Sequence, residues 1–270
     1  MPNDKGFNAY KEVTHIVDHI RHYFASNGTP ETKAVIGISG GKDSTVAAAL
    51  LVRALGKNRV IGVMMPQNHQ ADLDDSYKVC ETLGIEHYVI NIGPVCDELY
   101  KDFVHNTQLT LTPQIETNAP ARIRMNILYM VAAAVGGRVI NTGNASEAYV
   151  GYTTKYGDLA GDYAVLRDYY VEEVYALGDA MMELPSELVH KDPSDGMSGL
   201  TDEDNMGFTY AVLDDYLIRG VTPPADVLDN ITKRHNRNRH KEVINLPHPR
   251  ALTRPYVCQA NRPFDDGFSF

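Results

Sequence analysis

Ser39-Gly40-Gly41-Lys42-Asp43-Ser44 combines residue types that hold phosphate, and its neighbours put them where phosphate binding works. The β-branched run at 34–38 predicts a buried parallel strand, and the Ala/Leu-rich stretch 43–55 predicts a helix. Two adjacent glycines between them allow a sharp turn and a close approach of backbone to ligand. Asp43 and Ser44 open the helix, where free N–H groups and the helix dipole favour an anion. A Walker A loop requires G-x-x-x-x-G-K-[ST], and Gly37, Gly40 and Gly41 do not fit G-x-G-x-x-G either. The plain alternative is a glycine-containing βα turn capped by Asp or Ser.

A second group, Asn141-Thr142-Gly143-Asn144-Ala145-Ser146-Glu147, follows the short apolar run 138–141, a predicted strand that ends on the same rim. A carboxylate there can meet a metal held near the phosphates. Mg²⁺ takes oxygen ligands and keeps waters, so one or two carboxylates plus phosphate oxygens suffice. Asp43 and Glu147 form the candidate pair; otherwise Glu147 is a first-turn glutamate favoured by the dipole. The third group, 153–162, is a polar, glycine-containing loop, too long and irregular for a mere connection unless it is only surface.

S-G-G-x-D-S after a buried strand resembles the pyrophosphate loop of the ATP pyrophosphatases, which cleave ATP to AMP and pyrophosphate while adenylating an acyl oxygen. The larger set is similar to that of the ammonia-dependent NAD synthetases. It comprises S-G-G-K-D-S (39–44), Gln70-Ala71-Asp72, Ala121-Arg122-x-Arg124-Met125, T-G-N-A-S-E (142–147), T-K-Y-G-D (154–158), Lys191-x-Pro193-Ser194 and His240-Lys241. The resemblance implies an adenine nucleotide alpha hydrolase-like fold and a dimer that converts deamido-NAD, ATP and ammonia into NAD, AMP and pyrophosphate. It implies ATP contacts at Gly37, Ser39, Gly40, Gly41, Lys42, Asp43, Ser44, Thr45, Gln70, Thr142 and Ser194, with Asp43 and Glu147 on Mg²⁺. Arg122, Tyr152, Lys155, Asp162, His240 and Lys241 match positions that bind the deamido dinucleotide. Lys155 and Asp158 join the metal pair as candidate catalytic groups, and either Asp158 or Asp162 could take a proton from ammonium.

The chain departs from the family pattern at three places. Lys42 stands where many relatives carry glutamine, and it either faces the pyrophosphate or points to solvent. Val171 stands where many carry an ATP-contacting lysine. The family's G-D-G-G-x-D reads Gly157-Asp158-Leu159-Ala160-Gly161-Asp162, which leaves the loop conformation open.

The elements that must position these groups follow from periodicity. Helices are predicted at 7–25, 43–55, 71–83, 94–104 and 118–135, and strands at 34–38, 59–65, 87–92 and 138–141. Beyond residue 150 the strand signal fades and helices are expected at 170–182, 207–218 and 225–237. The fold class is therefore α/β, a doubly wound parallel sheet with a helical C-terminal elaboration. One domain is expected over 1–270, with its nucleotide-binding core at 30–150 and substrate loops and helices at 151–270.

Composition is ordinary for a globular protein, 43% hydrophobic and 22% charged. A net charge of −10 argues against a nucleic-acid partner, and the basic run 233–241 lacks interleaved aromatics. Three cysteines without paired spacing fit a reducing compartment, and no stretch predicts a leader or a membrane span, so the expected location is cytoplasmic. At this length no glutaminase domain is expected beside the synthetase core, so free ammonia is the expected nitrogen donor. The rivals are another ATP pyrophosphatase acting on a nucleotide or tRNA, and a non-catalytic nucleotide-binding protein.

Overall fold

The computed structural model describes residues 6–68, 73–190 and 201–241. In chain order the first half runs α1 (Ala9–Ser26), β1 (Lys33–Gly37), α2 (Lys42–Leu55), β2 (Val60–Met64), α3 (Leu73–Leu83), β3 (Glu86–Val89), α4 (Gly93–Thr107), α5 (Pro113–Val135) and β4 (Gly137–Asn141). The second half adds α6 (Ala145–Val150), β5 (Tyr163–Ala164), α7 (Val171–Asp179), α8 (Ser186–Val189), α9 (Asp202–Met206), α10 (Tyr210–Arg219) and α11 (Ala225–Asn238).

Among the described residues the strands form one parallel sheet in the order β3-β2-β1-β4-β5. Side chains of β1 alternate between its two faces. Ala34 and Ile36 pack with Val17, Leu50, Val79 and Val174 from α1, α2, α3 and α7. Val35 packs on the other face with Ile61, Val63 and Val139, beneath Cys96, Ile127 and Leu128 of α4 and α5. Helices on both faces account for the near-continuous apolar strands. The chain winds outward from β1 to β3, returns along α4 and α5, and sets β4 beside β1 with Val35 opposite Val139. The order reverses between β1 and β4, where a doubly wound sheet opens its binding crevice.

Helices α6, α8 and α9 were not expected, the helix expected at 170–182 ends at Asp179, and the strand expected at 87–92 is Glu86–Val89. Two further differences bear on the site. Helix α5 starts at Pro113, not near 118, because Thr112 caps it by accepting from the Ile115 N–H and proline is favourable at the first helical position. Pro120 then lies inside the helix and cannot donate to the Glu116 carbonyl; the Tyr100 hydroxyl donates to that oxygen instead, at 3.4 Å. Strand β5 was not expected at all. It is two residues long, too short to carry a period, and pairs with Ile140 and Asn141 of β4.

The C-terminal helices have their own apolar cluster, including Val150, Val171, Met206, Leu213 and Ile231. One carboxylate ties that cluster to the sheet side. Asp214, only 1% exposed, accepts from Ser146 Oγ at 2.6 Å and from the Glu172 N–H at 2.9 Å. Ser146 Oγ in turn accepts from the Val171 N–H at 3.0 Å. Replacing Asp214 with alanine orphans a buried hydroxyl and a helix-terminal amide, so it should cost about 3 kcal/mol. Urea unfolding checks this, and Asp214→Asn, which keeps an acceptor, should cost less.

Candidate active site

Residues 38–45 turn from β1 into α2 through backbone that only their composition permits. Gly40 has φ 76°, the left-handed region open to glycine. The loop is then laced to the first turn of α2 by its hydroxyls. Ser39 N–H donates to Ser44 Oγ at 3.3 Å, Gly41 N–H to Ser39 Oγ at 3.3 Å, and Thr45 Oγ1 donates to the Gly41 carbonyl at 2.8 Å. No side chain caps α2 at Gly41, which leaves its N-terminus available to an anion.

The chain reaches the same rim again after β4. Asn144 and Glu147 form a reciprocal capping box at the start of α6: Glu147 N–H donates to Asn144 Oδ1 at 2.9 Å, and Asn144 N–H to Glu147 Oε2 at 3.2 Å. Asn144 Nδ2 also donates to Asp43 Oδ1 at 3.0 Å, which couples the two rims. Lys42 Nζ donates to the other oxygen, Asp43 Oδ2, at 2.9 Å. Lys42 does not face solvent: it is 5% exposed, with Nζ 5.7 Å from the Tyr175 ring centroid and 5.4 Å from that of Tyr210. Burial opposes its charge, but Asp43 and then Glu147 outweigh burial and hold the ammonium protonated. Burial, followed by the Asp43 carboxylate, pushes the Glu147 carboxyl well above the ordinary range, with Lys42 pulling back.

This donor set fits a hard divalent cation. The two carboxylates already converge on a positive charge, and oxygen ligands are what Mg²⁺ selects. Among the described residues no group of three or more His, Cys, Asp or Glu side chains gathers around a metal position.

Beside the carboxylates lies a cavity of about 290 Å³. Gly37, Ser39, Ser44 and Thr142 line it on the sheet side, with Gly157 and Asp158 from the loop across it. Its apolar walls come from Met65, Pro66, Met125 and Leu128. Arg124, given no role from the sequence, also lines it and donates from Nε to the Met65 carbonyl at 3.1 Å. Its place one turn before Leu128 on the same helix was the available signal. Gln70 and Ser194 lie outside the described residues.

The residues matched to the dinucleotide are joined in a chain at the edge of the loop 153–162. Arg122 Nε donates to the Lys155 carbonyl at 3.2 Å, and Lys155 Nζ to the His240 carbonyl at 2.7 Å. Lys241 Nζ donates to the carbonyls of Gly151 and Thr153, both at 2.7 Å. Tyr152 is half-buried and lies 3.5 Å, hydroxyl to amide, from Asn205. The basic run is largely spent within the protein: Lys233 pairs with Asp229 and His235 stacks on Tyr149. The two candidate bases have prior commitments. Asp158 Oδ1 accepts the Thr154 N–H at 2.6 Å, while Asp162 accepts the Val139 N–H at 2.7 Å and the Tyr129 hydroxyl at 3.3 Å. Val171 is buried in the apolar cluster, and Lys42 Nζ lies over the ring of Tyr175, one turn further along α7.

Comparison with known proteins identifies the family. The NAD synthase family model matches residues 12–246. The chain is 39% identical over 213 residues to the NH(3)-dependent NAD(+) synthetase of Pyrococcus furiosus, covering 78% of this chain and 79% of that one. Its structure is similar to the NMN synthetase from Francisella tularensis, with a TM-score of 0.80 at 36% identity, covering 91% of this chain and all of that one. It is also similar to the NH3-dependent NAD synthetase from Campylobacter jejuni, with a TM-score of 0.69 at 28% identity over 92% of this chain and all of that one. By the extent of the family match and the level of these identities, the chain belongs to the NAD synthase family.

Proposed function

We propose that this chain, a carbon–nitrogen ligase, amidates the nicotinate carboxylate of deamido-NAD with ammonia and ATP, giving NAD, AMP and pyrophosphate. A carboxylate is a poor electrophile until adenylation gives it a leaving group. A nicotinate oxygen attacks the α-phosphorus, the bond to pyrophosphate breaks, and negative charge grows on the departing group. The first-turn amides of α2, at 42–44, have no side chain capping them and are placed to meet that charge. Ammonia then attacks the acyl carbon, and AMP leaves with the C–O bond electrons. The cavity with Ser39, Thr142 and Arg124 holds the nucleotide and excludes water from the adenylate. Lys155, Arg122, His240 and Lys241 hold the second substrate, and Asp158, which lines the cavity, takes the ammonium proton. Asp43 and Glu147 would hold Mg²⁺, which when bound neutralises phosphate charge.

The observation that carries this reading is the convergence of phosphate loop, carboxylate pair and cavity at the β1–β4 switch point. The test is AMP, pyrophosphate and NAD release from ATP and ammonium, with and without deamido-NAD. Equal amounts of AMP and NAD, dependent on the dinucleotide, support it. AMP release indifferent to the dinucleotide sinks it. The similarity to the Francisella tularensis NMN synthetase favours a second reading, the same chemistry on the mononucleotide. Nicotinate mononucleotide as competing substrate in that assay decides between them by the ratio of kcat/KM.

A homodimer is part of the proposal. The last nine residues of α5, 127–135, are apolar all round, yet only Pro120 and Ala132 of its 23 residues are buried. Met130 is 65% exposed, and Tyr129 on α5 and Val95 and Leu99 on α4 are also exposed. A second copy is the occupant that the family resemblance supplies for this face. Met130→Glu should halve the mass measured by light scattering, and an unchanged dimer would refute the assignment of the interface. Two buried free thiols, Cys80 and Cys96, suit the reducing cytoplasm. No helix among the described residues is long and apolar enough to cross a membrane.

A further inference from the structure

Lys42 is the first residue of α2, where the helix dipole disfavours a cation, and it is buried there. Its ammonium sits in a box of two carboxylates and two aromatic faces, Asp43, Glu147, Tyr175 and Tyr210. Both oxygens of Asp43 are thereby taken, Oδ2 by Lys42 and Oδ1 by Asn144 Nδ2. Each oxygen keeps a further lone pair, so a divalent ion can reach Asp43, but there it meets the Lys42 ammonium at contact distance. Asn144 is anchored by its own capping bonds to α6, whereas the lysine rides on a flexible stem. Two cations on one carboxylate repel at contact distance, so the ammonium is the partner that leaves.

We infer that Lys42 is an internal counter-ion of the Asp43–Glu147 pair, which keeps that pair together in the nucleotide-free protein and must be displaced from Asp43 when the divalent metal binds. The inference rests on Asp43 and Glu147 being the metal ligands. It makes Lys42 a positioning residue with two consequences: the carboxylates stay gathered without metal, and free metal binds weakly until phosphate accompanies it. The released ammonium lies beside the pyrophosphate loop, where a cation is useful.

The experiment titrates Mn²⁺ into nucleotide-free protein and follows the free ion by electron paramagnetic resonance. Lys42→Gln should bind Mn²⁺ about tenfold more tightly than the natural protein. Its melting temperature without metal should fall, and the rise on adding Mn²⁺ should be larger than for the natural protein. Lys42→Arg, which keeps the positive charge, should bind Mn²⁺ as weakly as the natural protein. Binding by Lys42→Gln that is no tighter, or not detectable, overturns the inference. Asp43→Asn separates the two readings. If it loses Mn²⁺ while Lys42→Gln gains nothing, the metal pair stands and the role of Lys42 falls. If Asp43→Asn binds Mn²⁺ as the natural protein does, the metal pair itself is wrong.

Discussion

Asp43→Asn and Glu147→Gln should each lower kcat/KM for amide formation by about three orders of magnitude, or ~4 kcal/mol of transition-state stabilisation. Each substitution removes one of the two carboxylates proposed to hold Mg²⁺ at the phosphates while keeping side-chain size. The fold should survive either change alone. In Glu147→Gln the capping box is kept, since the side-chain amide oxygen still accepts from the Asn144 N–H. Removing one of two carboxylates that repel each other across Lys42 also relieves that repulsion in the protein without metal. The double variant differs, because it strips both carboxylates of the pair from the buried Lys42 ammonium and should be destabilised by several kcal/mol. Steady-state kinetics and thermal unfolding on the three variants check this. A single variant that keeps a third of the natural kcat/KM would show that the carboxylates are not in the reaction centre.

Gly161→Ala should damage both fold and activity, lowering stability by about 3 kcal/mol and kcat/KM by about 100-fold. A Cβ on Gly161 would lie 2.8 Å from the Asn141 backbone nitrogen and 3.2 Å from its Cα. Those are backbone atoms of β4, so the loop 153–162 must move. The loop is pinned there by Asn141 Nδ2, which donates to the Asp158 carbonyl at 2.6 Å, and by the Asp162 N–H, which donates to Val139 O at 2.7 Å. Pushed off the strand, the loop carries Asp158 away from the cavity. Ala160→Gly is the control and should leave activity within about threefold. Unfolding midpoints and kcat/KM decide, and a Gly161→Ala protein with natural values for both would refute the packing argument.

That loop also illustrates what could be read in the sequence. The strand–loop–helix unit at 34–55 and the apolar runs of β2 and β4 were legible because buried parallel strands leave continuous β-branched runs. The meeting of Asp43 with the 142–147 segment was legible too, since both follow strands that end on one rim. The loop conformation was not. Leu159 and Ala160 replace glycines of the family pattern, yet neither takes a positive φ; Tyr156 does, at 61°, and the tight contact falls on Gly161. Contacts of this kind depend on distant backbone and leave no period in the chain. The direction of Lys42 was hidden for the same reason, because Tyr175 and Tyr210, which enclose it, are far away in sequence. Asp158 and Asp162 looked alike on spacing alone, and only their partners, Thr154 in one case and Val139 with Tyr129 in the other, tell them apart.

The missing rung at Pro120 has a bearing on how the substrate loop opens. Helix formation is cooperative because each residue added gains a hydrogen bond from the turn before it, and a proline interrupts that transmission. The turns of α5 before Pro120 can therefore fray without unwinding those that pack on β1 and β4. The break falls beneath the anchor points of the loop: Thr154 Oγ1 donates to Asn118 Oδ1 at 2.9 Å, and Gly157 packs against Ala121. Fraying of residues 113–119 releases Asn118, and with it the hold on Thr154. Amides at the start of α5 should then exchange with solvent together with those of the loop, as one local unfolding unit, and ligands that order the loop should slow exchange in both.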